Sequence, residues 1–297
     1  MWHVSRDNPS HWQDVVREVN PDIVHVYRSG FQEWPEPGVD MDVPHFVETN
    51  VFGFIDANPR VERSLFMSKW LMDHALRGLP NLCLPKRFGF VNNPVEEPYT
   101  DDKFSWREPG AIYLGRCGRP DNGIYNAVSV QAAHLLRMQG YDIRFVVVAP
   151  PSNMIDDLSR YGIPFHVIEA TVEPLALSMF YNSIDIYAHA RADGETFGVN
   201  IAEAMMHGKP VVTHIATPSH PGMGVFQSQT ELVDHGRTGF ISRNDPASYM
   251  GHLKELIDYP ETAQCFGVRG RDKAMYEYHA EECAKKLGNI YEGIVDG

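Results

Sequence analysis

From residue 111 onward the chain repeats one pattern: a short run of consecutive apolar residues, a turn, and an amphipathic stretch with a single apolar stripe. A run that is apolar at every position is a strand buried on both faces, and a stripe recurring every three to four residues is a helix laid against it. The repeat therefore restricts the chain to βα units around a parallel sheet. Strands are expected over 111–114, 143–149, 165–168, 184–189 and 210–214, and helices over 124–138, 153–161, 174–182 and 198–207. Ile124, Val128, Ala132, Leu135 and Leu136 form the stripe of the first helix, which Gly140 ends. Beyond Pro246 the tail reads as largely helical.

The first hundred residues carry the same rhythm in weaker form. A helix is expected over 10–20, with Ser10 as N-cap and Pro21 as stop, and strands over 22–27, 45–48, 61–67 and 86–91. A further helix follows Ser68 and ends near Gly78, while the Gly- and Pro-rich stretch 29–44 is loop. The polar start Met1–Asp7 does not read as the buried strand that usually opens an α/β domain. Residues 92–109 hold three prolines and many charges and read as an interdomain linker. The expected organisation is a reduced first domain over 1–100, a second over 101–280 and a helical tail over 281–297.

Bulk properties narrow the functional classes. A net charge of -13 argues against a nucleic-acid binder, which needs Lys and Arg to neutralise phosphates. It leaves anionic small ligands open, because local charge can oppose the global sign. Cys83, Cys117, Cys265 and Cys283 form no metal-type or redox-type spacing, so free thiols and no metal site are expected. No apolar run approaches the ~18 residues of a membrane span and no leader stands at Met1, so a cytoplasmic protein without a transmembrane segment is expected.

The segment richest in chemistry is 184–213: buried strand, polar loop, helix, Gly turn, buried strand. In an open α/β sheet ligands sit beyond the carboxyl ends of strands, against helix N-termini. The backbone N–H groups of Thr196, Phe197, Gly198 and Val199 would be donors at such a terminus, suited to a phosphate, and Gly198 would let the backbone come close. Glu195 precedes the helix and Glu203 lies about one turn inside it, so two carboxylates could meet one ligand and accept from its sugar hydroxyls. Taken singly, each glutamate also has a bland reading, as a charge near the helix dipole or on a solvated face. The strand–loop–helix context favours the functional one.

This frame resembles the donor-domain signature of the retaining family-4 glycosyltransferases, which have the two-domain glycosyltransferase-B fold. The matching residues are Glu195-Thr196-Phe197-Gly198, Glu203-Ala204-Met205 and Gly208-Lys209-Pro210-Val211-Val212. The resemblance implies that Glu195 contacts the transferred sugar near the reacting carbon and that Glu203 holds the nucleotide ribose. Tyr113-Leu114-Gly115-Arg116 is similar to a strand end of the family whose Arg stabilises the diphosphate leaving group, a role its planar fork suits. Glu231-Leu232-Val233 with Gly236 and Gly239-Phe240-Ile241 resembles the family's closing motif, and 168–174 falls where its base-contacting loop lies. In the first half, Pro21-Asp22-Ile23-Val24-His25 and Phe66-Met67-Ser68-Lys69-Trp70 are similar to further family segments.

Departures from the family pattern are equally specific. Its second diphosphate cation, a Lys about six positions after the Arg, falls here on Asn122, with Arg119 as the nearby basic alternative. Losing a cation from a water-poor phosphate site costs about 3 kcal/mol of transition-state stabilisation. The family's early His falls on Asn50, and its opening strand, Gly-rich loop and helix find no match, so a first sheet short of two or more strands is expected. An incomplete sheet would leave an edge that a second copy could cover, which makes a homodimer one expectation.

The resulting expectation is an α/β protein of two Rossmann-like domains. It would transfer a sugar from a nucleoside-diphosphate sugar to a hydroxyl acceptor with retention of configuration, using no cofactor and no metal. A non-catalytic nucleotide-sugar binding protein or partner-dependent subunit is the alternative, and a sugar-nucleotide epimerase on the same fold is a more distant one.

Overall fold

The computed structural model describes residues 10–30, 33–77, 86–218 and 224–297, with only the backbone at 10 and 11. The polar start at Met1–Asp7, the stop at Gly78 and Cys83 lie outside the described residues, as does the Ser10 side chain. Cys117, Cys265 and Cys283 form no disulfide among the described residues. Two compact units emerge: one runs to Asn93 and includes Glu281–Gly297, and the other is Pro94–Ala280. The 281–297 segment thus clusters with the first unit.

The first unit contains α1 (Ser10–Val19), β1 (Ile23–Arg28), β2 (His45–Asn50), β3 (Arg63–Phe66), α2 (Lys69–Leu76) and β4 (Phe88–Phe90). Its four strands are parallel and lie in the order β1-β2-β3-β4. Ser68 caps α2 by accepting the Leu71 N–H at 3.0 Å. Trp12 and Val16 of α1 pack on Met41, Phe46 and Val61.

Buried charge sits inside this unit. Arg28, Glu48 and Asp56 are 3%, 0% and 2% exposed. The Arg28 guanidinium donates to Glu48 Oε2 at 2.7 and 3.0 Å, to Asp56 Oδ2 at 2.8 Å and to the Glu33 carbonyl at 3.1 Å. Ser64 Oγ donates to Glu48 Oε1 at 2.6 Å. Burial pushes the Glu48 carboxyl up, and Ser64 and Arg28 pull it back.

The second unit contains β5 (Ile112–Cys117), α3 (Val128–Met138), β6 (Ile143–Val148), α4 (Ser152–Arg160), β7 (Phe165–Ile168), α5 (Pro174–Ser183), β8 (Ile186–Ala188), α6 (Val199–Met206), β9 (Val211–His214), α7 (Gln229–Leu232), β10 (Gly239–Ser242), α8 (Pro246–Asp258) and α9 (Pro260–Glu277). The last helix, α10 (Ala280–Val295), returns to the first unit and packs Leu287, Ile290 and Ile294 against Val47 and Leu65. The six strands of the second unit are all parallel, in the order β10-β9-β8-β5-β6-β7. The molecule is therefore an α/β protein with two Rossmann-like parallel sheets.

Helix α3 starts at Val128, four residues later than the apolar stripe suggested. Asp121 accepts the Gly123 N–H and closes a short 3-10 turn over Asn122–Ile124, and Tyr125 is extended. Asn126 then accepts the Val128 N–H at 3.0 Å. In the second sheet the direction of strand addition reverses at β5, which lies between β8 and β6. The carboxyl ends of β5 and β8 thus flank the crevice in which open α/β sheets bind ligands.

Candidate active site

The loop after β8 is pinned from several sides. His189, 3% exposed, bonds Thr213 Oγ1 through Nδ1 at 2.8 Å and Glu195 Oε1 through Nε2 at 3.2 Å. The Arg191 N–H donates to His214 Nε2 at 3.2 Å, and Arg191 bridges antiparallel to Tyr125. The Glu195 N–H donates to Gln229 Oε1 at 3.0 Å, and its carbonyl accepts the Ser228 N–H at 3.0 Å. Gly194, at φ 70, packs so tightly that a Cβ would stand 1.8 Å from the Phe226 carbonyl oxygen. No side chain fits there. Gly198, at φ 103, is the left-handed N-cap of α6.

Arg116, at the end of β5, is 4% exposed, and its Nη1 has no hydrogen-bond partner among the described residues. Burial lowers its pKa, and neighbouring Arg191 adds to that, while no carboxylate among the described residues pairs with it. It lines a cleft shared with Cys117, Arg119, Arg191, Glu195 and Asn200. Asn200 donates through Nδ2 to the Cys117 carbonyl at 2.8 Å, and its buried Oδ1 also lacks a partner. The enclosed part of the cleft is only about 20 Å3, so a large anion would sit at its mouth, where Arg119 is exposed.

Glu203 lies on α6 and faces a second cavity of about 210 Å3, lined also by Val95, Tyr99, Val172, Leu177 and Tyr181. Tyr181 donates to Glu203 Oε2 at 2.6 Å, leaving Oε1 without a protein partner among the described residues. Burial raises the Glu203 pKa and the Tyr181 hydrogen bond opposes the rise. Behind it, His207 bonds the Glu203 carbonyl at 2.8 Å and Ser178 Oγ at 3.2 Å, and burial lowers its pKa to about 4. Asn200 joins the two cavities: its side chain lies in the Arg116 cleft, and its carbonyl is 3.3 Å from the Tyr181 hydroxyl. Cys117 stands between them too, its thiol pushed up to about 12 by burial and by Glu203.

The residues singled out from sequence fall into distinct places. Arg116, Arg119 and Glu195 share one cleft, and Glu203 lines the adjoining cavity. Gly115 is buried in β5, where a Cβ would stand 2.3 Å from Ile184. Its contribution is close packing. The Thr196 carbonyl accepts from Ser228 Oγ at 2.9 Å, Phe197 is 1% exposed and meets Tyr278 edge to face, and Val199 opens α6 half exposed. Asn122 is exposed and bonded to Ser152 Oγ at 3.0 Å and to the Asn153 N–H at 3.2 Å, outside the residues lining the Arg116 cleft. Asn50 belongs to the first unit, where it accepts the Gly53 N–H at 2.8 Å and donates to the Phe54 carbonyl at 2.5 Å.

Arg191, His189, Asn200 and Tyr181 were not singled out from sequence. Arg191 alone left a signal: a cation directly past a buried strand, two and four residues before carboxylates at Asp193 and Glu195. Among the described residues no group of three His, Cys, Asp or Glu is arranged to hold a metal ion. No described helix is long and apolar enough to cross a membrane.

A family profile described as glycosyl transferases group 1 matches residues 108–259, about half of the 297. No curated protein matches the chain in sequence. A solved glycosyltransferase from Rickettsia africae aligns over 99% of this chain and 84% of its own, at 13% identity and a TM-score of 0.70. Sucrose-phosphate synthase from Thermosynechococcus elongatus aligns over 98% and 80%, at 13% identity and a TM-score of 0.69. Anabaena HepE, solved in complex with UDP-glucose, aligns over 84% and 72%, at 14% identity and a TM-score of 0.65. At these identities the structural likeness speaks to the fold, which is that of glycosyltransferase-B proteins.

Proposed function

Because the chain belongs to the group 1 glycosyl transferases, we propose that it is a retaining, family-4-type enzyme that moves a hexosyl group from a nucleoside-diphosphate sugar to a hydroxyl acceptor. The observation that carries this reading is Arg116: a buried guanidinium with an unpartnered Nη1 and no ion pair to a carboxylate among the described residues, at the sheet's switch point. A buried charge without a counter-ion is costly, so such a group is kept where an anionic ligand supplies the missing charge. The departing diphosphate is that anion, aided by the positive end of α6.

The remaining roles follow from the two cavities. Glu203 accepts from the ribose hydroxyls through Oε1, while Tyr181 holds Oε2. Val172, Leu177 and Tyr99 supply apolar surface for the base. Glu195, oriented by His189, contacts the transferred sugar. The first unit serves the acceptor, and the reading requires no metal and no cofactor beyond the donor.

Thermal unfolding with UDP, GDP, ADP and their sugars, with and without EDTA, tests it. The HepE complex makes UDP-glucose the first donor to try. A ligand at about 100 times its Kd stabilises by ~2.7 kcal/mol, worth several degrees for a chain of this size. One nucleotide series should shift the midpoint equally with EDTA, and its sugar should be consumed when hydroxyl acceptors are offered, giving a product of retained configuration. No shift with any nucleotide would overturn the reading.

A further inference from the structure

We propose that Arg191 is a diphosphate-binding residue, the second organised cation beside Arg116 and the functional replacement for the base that position 122 lacks. The proposal rests on the donor reading above. Asn122 brings no charge and is spent on Ser152 and Asn153. Arg119 borders the cleft but is exposed, where water and salt screen it.

Arg191 is differently held. Its side chain is 20% exposed, and Asp193 grips one edge of the guanidinium, with Nε to Oδ1 at 2.6 Å and Nη2 to Oδ2 at 2.9 Å. That leaves Nη1, which stands 3.5 Å from Glu195 Oε2, beyond good hydrogen-bond distance. The backbone is clamped as well: the Arg191 N–H reaches His214, and the Ala192 N–H donates to the Ile124 carbonyl at 3.0 Å. The fork is thus preorganised with one nitrogen available to the cleft, which is what a planar phosphate clamp needs. Arg191 and Arg116 line the same cleft, and Arg116 Nη1 has no hydrogen-bond partner among the described residues, so a diphosphate there could accept from both guanidinium groups. Because Arg191 also reaches toward Glu195, it ties the leaving group's charge to the carboxylate assigned to the sugar.

The test measures dissociation constants of UDP, GDP and ADP, and of the matching monophosphates, for the wild type and for Arg191→Gln, Arg191→Lys and Arg119→Gln. For whichever diphosphate binds the wild type, R191Q should weaken binding at least tenfold, with R191K intermediate and R119Q less than threefold. The matching monophosphate should change less than the diphosphate in R191Q, a split that general loosening of the loop would not produce. Should R191Q perturb folding, the R191K protein carries the same diphosphate-to-monophosphate comparison. Diphosphate binding within twofold of wild type in both Arg191 variants, or a larger loss in R119Q than in R191Q, overturns the assignment. If the wild type binds none of the three diphosphates, the donor reading itself fails, and the role of Arg191 falls with it.

Discussion

Two arginines at nearly equal depth have opposite surroundings. Arg28 in the first unit is 3% exposed and Arg116 in the second is 4% exposed. The first is enclosed by Glu48, Asp56 and backbone carbonyls of its own unit. The second ends a strand beside another arginine, with Nη1 unpartnered. A buried cation must be neutralised by something. Where the fold saturates the guanidinium, as at Arg28, the residue is structural, and where it leaves a nitrogen open toward a cleft, as at Arg116, a ligand can supply the charge. Burial alone therefore says little about function, and the distribution of counter-charge says a great deal.

The comparison predicts opposite phenotypes. Arg28→Met strands two carboxylates in the first unit's interior, so unfolding free energy in urea should fall by about 3–5 kcal/mol. Hydrogen exchange should accelerate most in β1–β4. Replacing Arg28, Glu48 and Asp56 together by apolar residues of similar volume should recover most of that loss. If Arg28→Met costs less than 1 kcal/mol, counter-charge does not separate the two sites.

Arg116→Met strands no carboxylate. Its unfolding free energy should stay within about 1 kcal/mol of wild type, while turnover of the donor falls roughly a hundredfold to a thousandfold. A stability loss as large as that of Arg28→Met, with donor consumption intact, would make Arg116 a second structural arginine.

How legible this was in the sequence differs between the same two regions. The strand at Phe165–Ile168 has the bounds expected from its sequence, although as an edge of the sheet it is only partly buried. Strand β8 is shorter than its run, since the Asp185 N–H is drawn to Tyr113 before the ladder with β9 begins. Around the cleft, Arg116 and the glutamates stood out because βα geometry puts strand ends and helix starts at a ligand edge. The Arg28 cluster left no such trace. Its members lie at 28, 48 and 56, on two strands and a loop, and no periodicity joins them. The resemblance sets the family's early His against Asn50, whose amide closes the turn from Asn50 to Phe54, an arrangement only tertiary coordinates reveal.

A half-buried and a buried histidine carry the comparison to a pair in which both units should behave alike. His25 in the first unit bonds Tyr291 and Thr49 through its two ring nitrogens, and His214 in the second bonds the Ile215 carbonyl and the Arg191 N–H. Burial holds both near a pKa of about 4, below the 6.5 of an exposed imidazole. As pH falls through 6.5 the unfolded chain takes up protons that the folded rings refuse, so stability present above 6.5 drains away until the folded rings titrate near 4. For His214, fully buried, the loss amounts to roughly 3 kcal/mol at pH 4. Unfolding free energies measured from pH 7.5 to 4 should therefore slope downward, and His214→Gln should flatten the slope by nearly one proton. An unchanged slope in that variant would mean that His214 is charged in the folded protein. The Arg191 N–H that donates to its Nε2 would then have lost its acceptor, and the cleft loop would need a different anchor.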